Sequence, residues 1–466
     1  MNAIFPFLFE DFLSSVVGTM IITNKDEVAS SELRTHALDI IEAGIHRVLP
    51  EITMNITLEY DSTRNVLKIQ GEEHDLSQGR LFVIGGGKAA GRMADVLLKI
   101  MGKERITDGV INCVDTGYDT QPIHVVKASH PIPDDEGLYG VERMLTLKGQ
   151  YSINEKDTVL CLISGGGSAL MPSPVDGIDL DEKKQITKLL LGSGAEIYEI
   201  NAVRKHLSRV KGGRLGEFFS PATVISLIIS DVIGNDLDVI ASGPTYPDSS
   251  TFSDAYAVLE KYGLILKAPK NIVTHLEKGI RGEIEETPKK LNTCYNYIIG
   301  ENGNALEAMA QRAKDMGYSP YIVTAEQKGD PARVAQYRAG EIQRGVYEGY
   351  DVVLIGGETT PKLPENPGKG GRNQHYAAAS LLAMRDYEGD WVVVCVGTDG
   401  SDYLPDVAGV IVDKESLVRA KGQNIDVQSY IDRYDSNTLF NKIGASLVRT
   451  GNTGTNVGDV IIYILA

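Results

Sequence analysis

Short, wholly apolar runs alternate along this chain with longer segments in which apolar residues recur every three or four positions. The short runs are typical of buried parallel strands, and the longer segments are typical of amphipathic helices. After a helix at 31–49, the pattern predicts strands at 81–85, 109–114, 158–163 and 223–230, and helices at 88–101, 136–148, 181–191 and 201–210. This alternation predicts right-handed βαβ units and a mostly parallel sheet with both faces covered.

A charged stretch with two prolines at 267–290 interrupts this pattern, which then begins again. Beyond it the pattern predicts strands at 295–299, 320–325, 351–356, 391–396, 408–412 and 459–465, and helices at 303–316, 331–347 and 374–385. We therefore expect a frayed N-terminal extension at 1–30, a large α/β domain at 31–285 and a smaller α/β domain at 290–466.

The length and the net charge of this chain limit the classes of protein to which it can belong. A chain of 466 residues is too long for one ordinary core, which agrees with two domains. The net charge of −17 argues against a nucleic-acid-binding surface, which needs a basic face. No run of eighteen uncharged apolar residues exists, so no membrane span is expected. Glu10 and Asp11 interrupt the apolar N-terminal segment, so we expect no secretory signal, and translation could start at Met1 or Met20.

Four cysteines are scattered along the chain without a C-x-x-C pair, and all but Cys294 lie in apolar, strand-like runs. This usage predicts buried free thiols in a reducing, cytoplasmic compartment. The sequence leaves open whether the protein forms a homo-oligomer.

Two predicted strands lead directly into glycine-rich turns. The first turn contains Gly85, Gly86, Gly87 and Lys88, and the second consists of Ser164, Gly165, Gly166, Gly167 and Ser168. Such turns expose backbone amides at a helix start, where the helix dipole also favours an anion. Three consecutive glycines cost backbone entropy that a simple connection need not incur, so the second turn is the more specific phosphate-binding candidate. Dense packing at the crossover is the structural alternative.

The first turn also fits a different enzyme class. Gly85, Gly87 and Ala90 satisfy the G-x-G-x-x-A dinucleotide fingerprint, and Asp115 lies where a ribose-binding acid is expected. An NAD(P)-dependent reductase of a three-carbon keto acid is therefore the strongest rival hypothesis. Lys88 argues against it, because a lysine at the turn suits a terminal phosphate or a carboxylate better than a pyrophosphate. A non-catalytic nucleotide- or metabolite-binding regulator is a third hypothesis.

Six basic residues occur within eleven positions of this acidic chain, from Arg204 to Arg214. Arg204, Lys211 and Arg214 recur at steps that could place them on one helix face, where they would attract phosphate. A solvated, charged helix face is the alternative. Ser168 could also serve as an acyl-transfer nucleophile, but its surroundings lack the second glycine of a nucleophile elbow.

Further candidate site residues are acidic and basic side chains at the ends of other predicted strands and helices. Asp231 ends the strand at 223–230, where ligands gather in α/β sheets, and Asp236 lies nearby. Asp231 could hold Mg²⁺ or orient a hydroxyl nucleophile, and Asp399 ends a later strand in the same manner. Arg372, at a predicted helix start after a long glycine-rich loop, could close on a phosphate. An ordinary turn is the alternative for each.

Taken in order, the motifs resemble those of the class II glycerate kinases, the glycerate 2-kinases with a C-terminal MOFRL domain. The segments that carry the resemblance lie at 85–88, 129–134, 164–170, 203–215, 230–245, 370–374 and 397–400. The resemblance runs from about residue 31 to the C-terminus. It implies a large Rossmann-like α/β/α domain, a smaller mixed α/β MOFRL domain and an active site in the inter-domain cleft.

The resemblance also implies an activity, which is ATP- and Mg²⁺-dependent phosphorylation of D-glycerate at its 2-hydroxyl, giving 2-phosphoglycerate. We expect Lys88, Asp231 and Arg372 to be catalytic, and Asp231, Asp236 and Asp399 to bind the metal. Nucleotide phosphates are assigned to Ser164, Gly165, Gly166, Gly167, Ser168, Lys211 and Arg214, and D-glycerate to Gly87, Lys88, Arg372 and Asn373. The chain departs from the family pattern at His375, where an acid is expected, and after Asp402.

Overall fold

The polypeptide folds as two units that are not consecutive in sequence. The computed structural model describes residues 20–466. One unit, the central unit, consists of Thr53–Ile299. The other, the terminal unit, combines Gly300–Ala466 with the described residues up to Ile52. The α/β class predicted from the sequence is confirmed for both units.

Six strands form the main sheet of the central unit. Their spatial order is Ile123–Lys127, Ile106–Cys113, Leu81–Gly86, Thr158–Ser164, Thr223–Ile229 and Cys294–Gly300, and the first five run parallel. Numbered along the chain, this order is 3-2-1-4-5-6, which is that of doubly wound nucleotide-binding folds. Its switch point lies between Leu81–Gly86 and Thr158–Ser164, and both of these strands are buried throughout. Burial on both faces explains why they are continuous apolar runs in the sequence.

Helices of the central unit connect these strands. They span Ala90–Met101, Asp135–Tyr151, Gly167–Leu170, Leu180–Ser193, Ile197–His206, Arg214–Phe219, Phe252–Lys261 and Lys270–Ile280, with 3-10 turns at Lys103–Arg105 and Ile240–Ser242. A separate antiparallel sheet consists of Leu58–Asp61, Val66–Ile69 and Glu72–Asp75. The sequence pattern did not predict this small sheet, because its four-residue strands are rich in charge.

The terminal unit is built on a mixed sheet. Its spatial order is Pro320–Gln327, Val352–Gly357, Asp459–Leu465, Trp391–Gly397, Gly409–Asp413 and Leu447–Val448. The first pair is parallel and the other pairs are antiparallel. Its helices span Lys25–Val28, Glu32–Arg47, Asn302–Asp315, Pro331–Gln343, Arg372–Ala383, Lys414–Gly422, Val427–Asp432 and Ser436–Ile443, and Pro50–Thr57 spans the division between the units.

The division of the chain differs from the expected domain limits at both ends of the central unit. The helix Glu32–Arg47 was expected in the first domain, but it packs against Asn302–Asp315, with Gly44 beside the Met309 side chain. Its buried Arg34 forms a 2.5 Å ion pair with Asp413. An amphipathic pattern shows that a helix has an apolar face, but not which sheet covers that face.

The strand Cys294–Gly300 was expected to open the second domain, but it is the sixth strand of the central sheet. The amide of Val224 donates to the carbonyl of Thr293 at 2.8 Å just before this strand. The charged stretch at 267–290, interpreted as a boundary, therefore lies inside the central unit. Of the extension at 1–30, residues 1–19 lie outside the described part of the chain, and the start at Met1 or Met20 stays a prediction.

Two further expectations concern the described residues as a whole. All four cysteines carry free thiols, and Cys113, Cys161 and Cys395 are buried as predicted. Over residues 20–466, no helix is both long enough and apolar enough to cross a membrane.

Candidate active site

The two glycine-rich turns lie side by side at the switch point of the central sheet. Their strands pair in parallel, with Gly86 opposite Ile163, so both turns leave the same edge. The Lys88 amide donates to the Gly165 carbonyl, and the Ala89 amide donates to Ser164 Oγ, both at 2.9 Å. The second turn thus holds the first in place.

The amides of the first turn are already bonded within the protein. The Gly87 amide donates to the Asn112 carbonyl at 3.1 Å, and the Ala90 amide donates to the Gly87 carbonyl at 3.2 Å. Gly87 has a φ of 155°, and a Cβ there would lie 2.1 Å from Ser164 Oγ. The glycine is therefore required by the close approach of the second turn, and the amides of residues 87 to 90 are all bonded within the protein.

The second turn is arranged in the opposite manner. Within residues 20–466, the amides of Gly165 and Gly166 have no hydrogen-bond acceptor. Gly166 has a left-handed φ of 80°, and a Cβ there would lie 2.9 Å from His130 Cδ2 and 3.3 Å from Lys88 Cγ. Glycine keeps this turn narrow and its amides uncovered, with the stem of Lys88 alongside. The structure therefore brings Lys88 and the second turn together.

The two serines of this turn have different surroundings. Ser164 is fully buried, and its hydroxyl accepts the Ala89 amide, so it positions the two turns. Ser168 Oγ lies 3.0 Å from Ser242 Oγ, which in turn donates to Asn201 Oδ1 at 3.1 Å. No histidine or carboxylate bonds to Ser168 within the described chain, so the structure does not support an acyl-transfer nucleophile.

The basic segment after residue 201 divides into paired and unpaired cations. The predicted helix 201–210 instead spans Ile197–His206, so Arg204, Lys211 and Arg214 do not share one helix face. Four of the six basic residues have partners within the central unit: Lys205 pairs with Asp238 and Asp248, His206 with Glu286, Arg209 with Glu142, and Arg214 donates to the Glu285 carbonyl. The Arg214 amide donates to the Lys211 carbonyl at 3.2 Å, but the Arg214 guanidinium bonds to Glu285.

Arg204 and Lys211 remain, and they lie close to a third cation that sequence reasoning missed. This third residue is Lys183, on the helix Leu180–Ser193. Burial, followed by the charge of Arg204, lowers the pKa of Lys183 to about 7. Burial, followed by the charges of Lys183 and Arg204, also lowers the pKa of Lys211 well below its usual value. In the sequence, Lys183 is one lysine among several on a polar helix, so no local signal distinguishes it.

Asp231 follows the strand Thr223–Ile229 at the carboxyl edge of the central sheet and is partly buried. Asp236 accepts the Asp238 amide at 2.9 Å, which makes it a turn-forming residue. In the described chain, no three His, Cys, Asp or Glu side chains are grouped to hold a metal. Mg²⁺ usually needs only one or two carboxylates beside phosphate oxygens and waters, so Asp231 has suitable chemistry and position.

Arg372 is the first residue of the helix Arg372–Ala383 in the terminal unit, as predicted. Its Nε and Nη2 donate to the two carboxylate oxygens of Asp459 at 2.6 and 2.9 Å, and its Nη1 lies 2.8 Å from Glu358 Oε1. Burial alone would lower the pKa of Arg372, but Asp459 outweighs it and raises that pKa. Two carboxylates thus neutralise this cation and fix its plane.

A third carboxylate caps the same helix. Asp402 accepts the amides of Asn373 and Gln374 at 3.0 and 2.8 Å, and Asn373 Nδ2 donates to Asp459 at 2.9 Å. Burial, then the charge of Asp459, raises the pKa of Asp402 to about 6. The helix N-terminus stabilises this buried acid. Asn373 and Arg372 therefore both bond to protein carboxylates.

The remaining predictions in this unit concern Asp399 and His375. Asp399 accepts the Ser401 amide and hydroxyl at 2.9 and 3.1 Å, in the manner of a turn residue. His375, where an acid was expected, stacks on Tyr434 with ring centroids 4.1 Å apart. Sequence reasoning did not select Glu358 or Asp459. The signal for Asp459 was a single acid at the start of an otherwise apolar strand.

This chain is similar to known protein families and to proteins of known structure. Residues 36–277 match the family model described as a domain of unknown function, DUF4147, and residues 351–459 match the MOFRL family. A Pyrococcus horikoshii protein named glycerate 2-kinase is 39% identical over 92% of this chain and 98% of its own length. The crystal structure of glycerate kinase from Thermotoga maritima superposes with a TM-score of 0.79 at 34% identity, covering 92% of this chain and 99% of that one.

An Agrobacterium vitis relative, 36% identical over 82% of this chain and 98% of its own length, is provisionally named a hydroxypyruvate reductase. Relatives named as glycerate 2-kinases from Pyrococcus horikoshii and Thermotoga maritima match more of this chain, at 39% and 37% identity over 92% and 93% of it. The chain belongs to the glycerate 2-kinase family, in which a DUF4147 domain is joined to a MOFRL domain.

Proposed function

We propose that this protein transfers the terminal phosphoryl group of ATP to the 2-hydroxyl of D-glycerate, giving 2-phosphoglycerate and ADP. The observation that carries the proposal is the open turn 164–168 at the switch point of a doubly wound sheet, in a member of this family. Ligands of such sheets bind at the switch point, beyond the carboxyl ends of the strands.

Nucleotide phosphates are assigned to the second glycine turn. The unbonded amides of Gly165 and Gly166 supply donors that need no rearrangement, and Ser168 adds a hydroxyl beside them. Lys211 supplies positive charge from the next loop, where its Nζ lies 3.4 Å from the Ala241 carbonyl. Backbone amides bind phosphate without sequence preference in the ligand, so they suit a polyphosphate.

Lys88 is assigned to the transferred group. Its side-chain stem lies beside Gly166, in the open turn. Phosphoryl transfer depends mostly on positioning and on neutralising charge that spreads over the equatorial oxygens. A lysine is a compact point charge suited to that task. Gly87 then serves the site by allowing the close packing that fixes Lys88.

Arg372 and Asn373 are assigned to D-glycerate. Asp459 holds Arg372 through two hydrogen bonds, while Glu358 contacts only Nη1 and is partly exposed. A substrate carboxylate can replace Glu358 on Nη1 without disturbing the pair with Asp459. The planar guanidinium is then held in a fixed orientation, in which Nη1 can donate to a substrate carboxylate oxygen.

Asp231 is assigned either to Mg²⁺ or to the proton of the substrate hydroxyl. When bound, Mg²⁺ neutralises phosphate charge and orients the phosphate oxygens. Asp236 and Asp399 are turn-forming carboxylates in the described chain and are secondary candidates for the metal. The four free thiols support a cytoplasmic location for the enzyme.

The rival reductase needs the first glycine turn for a dinucleotide. The Lys88 and Ala89 amides that would meet a pyrophosphate instead bond to Gly165 and Ser164. Asp115, the candidate ribose ligand, is exposed and accepts the Gly117 amide within its own loop. Both observations support the kinase over the reductase.

One assay pair tests the proposal. Purified protein with ATP, Mg²⁺ and D-glycerate should release ADP, and phosphorus NMR should show 2-phosphoglycerate as the product. The same protein with hydroxypyruvate and NADH or NADPH should show no change in nicotinamide absorbance. Reduction of hydroxypyruvate without ADP release would overturn the proposal, and formation of 3-phosphoglycerate would overturn the assigned position.

A further inference from the structure

Three cations of the central unit, two buried lysines and a partly buried arginine, interact without an acid among them. Lys183 is 6% exposed and Lys211 is 2% exposed. Within the described chain, Lys183 Nζ has no hydrogen-bond partner at all. Lys211 Nζ has only the long contact with the Ala241 carbonyl, and Arg204 forms no ion pair there. Lysine and arginine are almost never buried unless they are paired.

The three side chains are close enough to oppose each other's charge. The charge of Arg204 lowers the pKa of Lys183, and the charges of Lys183 and Arg204 lower the pKa of Lys211, each after the larger effect of burial. No carboxylate contributes to the pKa of any of the three. A fold that needed these residues only for packing would not bury two lysines beside an arginine without a compensating acid.

Lys205 provides the contrast within the same segment. It is also buried, but its ammonium bonds to Asp238 and Asp248. The protein therefore has carboxylates available beside the neighbouring residue in sequence and supplies none to Arg204. The missing negative charge is specific to the cluster of Lys183, Arg204 and Lys211, which we call the cation cluster.

The backbone beside the cation cluster is strained. Ala241, whose carbonyl contacts Lys211, has a φ of 51°, and Ser242 has a φ of 63°. A left-handed conformation costs a non-glycine residue about 1–2 kcal/mol, and such strain is concentrated at functional sites. Ser242 Oγ also bonds to Ser168 Oγ and Asn201 Oδ1. The strained turn therefore joins the cation cluster to the open turn 164–168.

We propose that Lys183, Arg204 and Lys211 form a preassembled pocket for a phosphate group, with Lys183 as a ligand-binding residue. A carboxylate carries one negative charge and would leave the cation cluster uncompensated, whereas a phosphate dianion matches it more closely. Arg204 contributes a planar fork for two phosphate oxygens, and the lysines contribute point charges. A bound phosphate would supply the negative charge that no protein side chain provides to the cation cluster.

The choice of ligand rests on the proposed function, whereas the pocket itself rests on the geometry. A glycerate 2-kinase handles two phosphate sources, which are the nucleotide and 2-phosphoglycerate. The cation cluster joins the turn assigned to the nucleotide, and the product carries the same phosphate chemistry. Binding measurements with the two compounds separate these sources.

The test compares Lys183→Met with Lys184→Met, a control on the same helix whose lysine pairs with Asp181 near the surface. Calorimetric titration of each full-length protein with ADP and with 2-phosphoglycerate gives the affinities. Lys183→Met should weaken binding of one of the two by about 10- to 100-fold, the range for losing one hydrogen bond to a charged group. Lys184→Met should bind both compounds like the wild type.

A loss confined to ADP assigns the pocket to nucleotide phosphates, and a loss confined to 2-phosphoglycerate assigns it to the substrate phosphate. Wild-type affinity of Lys183→Met for both compounds would overturn the pocket. Thermal unfolding without ligand gives a second measurement, in which Lys183→Met should melt above the wild type. A lower melting temperature would indicate a structural lysine and overturn the proposal.

These results do not depend on turnover. Wild-type protein that binds phosphate compounds through Lys183 but releases no ADP with D-glycerate would retain the pocket and overturn the proposed function. Should Lys183→Met fail to fold, Lys211→Met and Arg204→Met provide the same comparison, because each removes one member of the cation cluster.

Discussion

The central and terminal units treat their buried cations in opposite ways. In the central unit, Lys183, Arg204 and Lys211 are gathered without a carboxylate. In the terminal unit, Arg372 is matched by Asp459 and Glu358 before any ligand binds. The cations of the central unit repel each other, and a bound anion would reduce that repulsion. Arg372 attracts an anion less strongly because its charge is already neutralised, but its orientation is fixed. We therefore assign affinity for the ligand to the first set of residues and positioning of the ligand to Arg372.

The largest expected effect is on catalysis, from Lys88→Ala. Loss of one preorganised electrostatic donor costs about 2.7–4 kcal/mol of transition-state stabilisation, or about 100- to 1,000-fold in kcat. Steady-state kinetics with ATP and D-glycerate would measure it. Lys99→Ala, which removes an exposed lysine paired with Asp95, is the control and should retain wild-type kcat. Near-normal turnover of Lys88→Ala would contradict the role assigned to Lys88.

Removing the partner of Arg372 tests the terminal unit. Asp459→Asn leaves a largely buried guanidinium with one carboxylate fewer, and breaking such a pair costs about 3 kcal/mol of stability. We expect a lower melting temperature and a lower kcat, because Arg372 loses its orientation. Calorimetry and kinetics would measure both.

The matched control is Asp386→Asn, which disrupts an exposed pair with Arg385. Such surface pairs contribute under about 1 kcal/mol, so this variant should behave like the wild type. Equal stability of the two variants would mean that Asp459 does not hold Arg372.

The pH dependence of the stability of Lys183→Met tests the contrast between the unpaired Lys183 and the paired Lys205. Burial lowers the pKa of Lys183 from 10.5 to about 7, so between these values the unfolded chain binds a proton that the folded protein does not. Folding stability contributed by this group therefore rises with pH across that interval. The variant should exceed the wild type in stability by several kcal/mol at pH 6, as an order of magnitude, and this gain should shrink toward pH 10.

Thermal unfolding of both proteins across this pH range would measure the difference. Lys205→Met should show the opposite sign, since it leaves Asp238 and Asp248 without their cation and should melt below the wild type. A constant difference between Lys183→Met and the wild type at every pH would contradict the assignment of this titration to Lys183.

The smallest effect is expected from Ser168→Ala. The hydroxyl bonds to Ser242 and supplements amides that remain in place, so its loss should raise KM for ATP by about fivefold, the effect of a hydrogen bond of about 1 kcal/mol. The kcat should change little. Wild-type protein is the reference for this comparison. Complete loss of activity would indicate a nucleophilic role for Ser168.

Local pattern was sufficient for much of the fold. The strands Leu81–Gly86 and Thr158–Ser164 and the start of the helix at Arg372 were predicted within a few residues. Their apolar runs and glycine turns are local signals. The membership of the helix Glu32–Arg47 in the terminal unit was not predicted, because packing partners far apart in sequence leave no local pattern.

Local chemistry likewise selected Lys88, Arg372 and the turn 164–168 as candidates, since each is unusual in its immediate surroundings. The shared helix face predicted for Arg204, Lys211 and Arg214 was wrong, because the helix ends at His206. It also missed Lys183, which is distinguished only by burial and by the absence of an acid beside it.

The sequence by itself determined the α/β class, the two glycine turns and the family motifs, because apolar periodicity and backbone-permissive residues act over a few positions. Only the tertiary structure decided which turn has amides to offer, which cations are neutralised and which are left in need of an anion. Hydrogen bonds and charges act through space, so the state of Lys183 or Arg372 depends on residues that the chain brings beside it from distant positions.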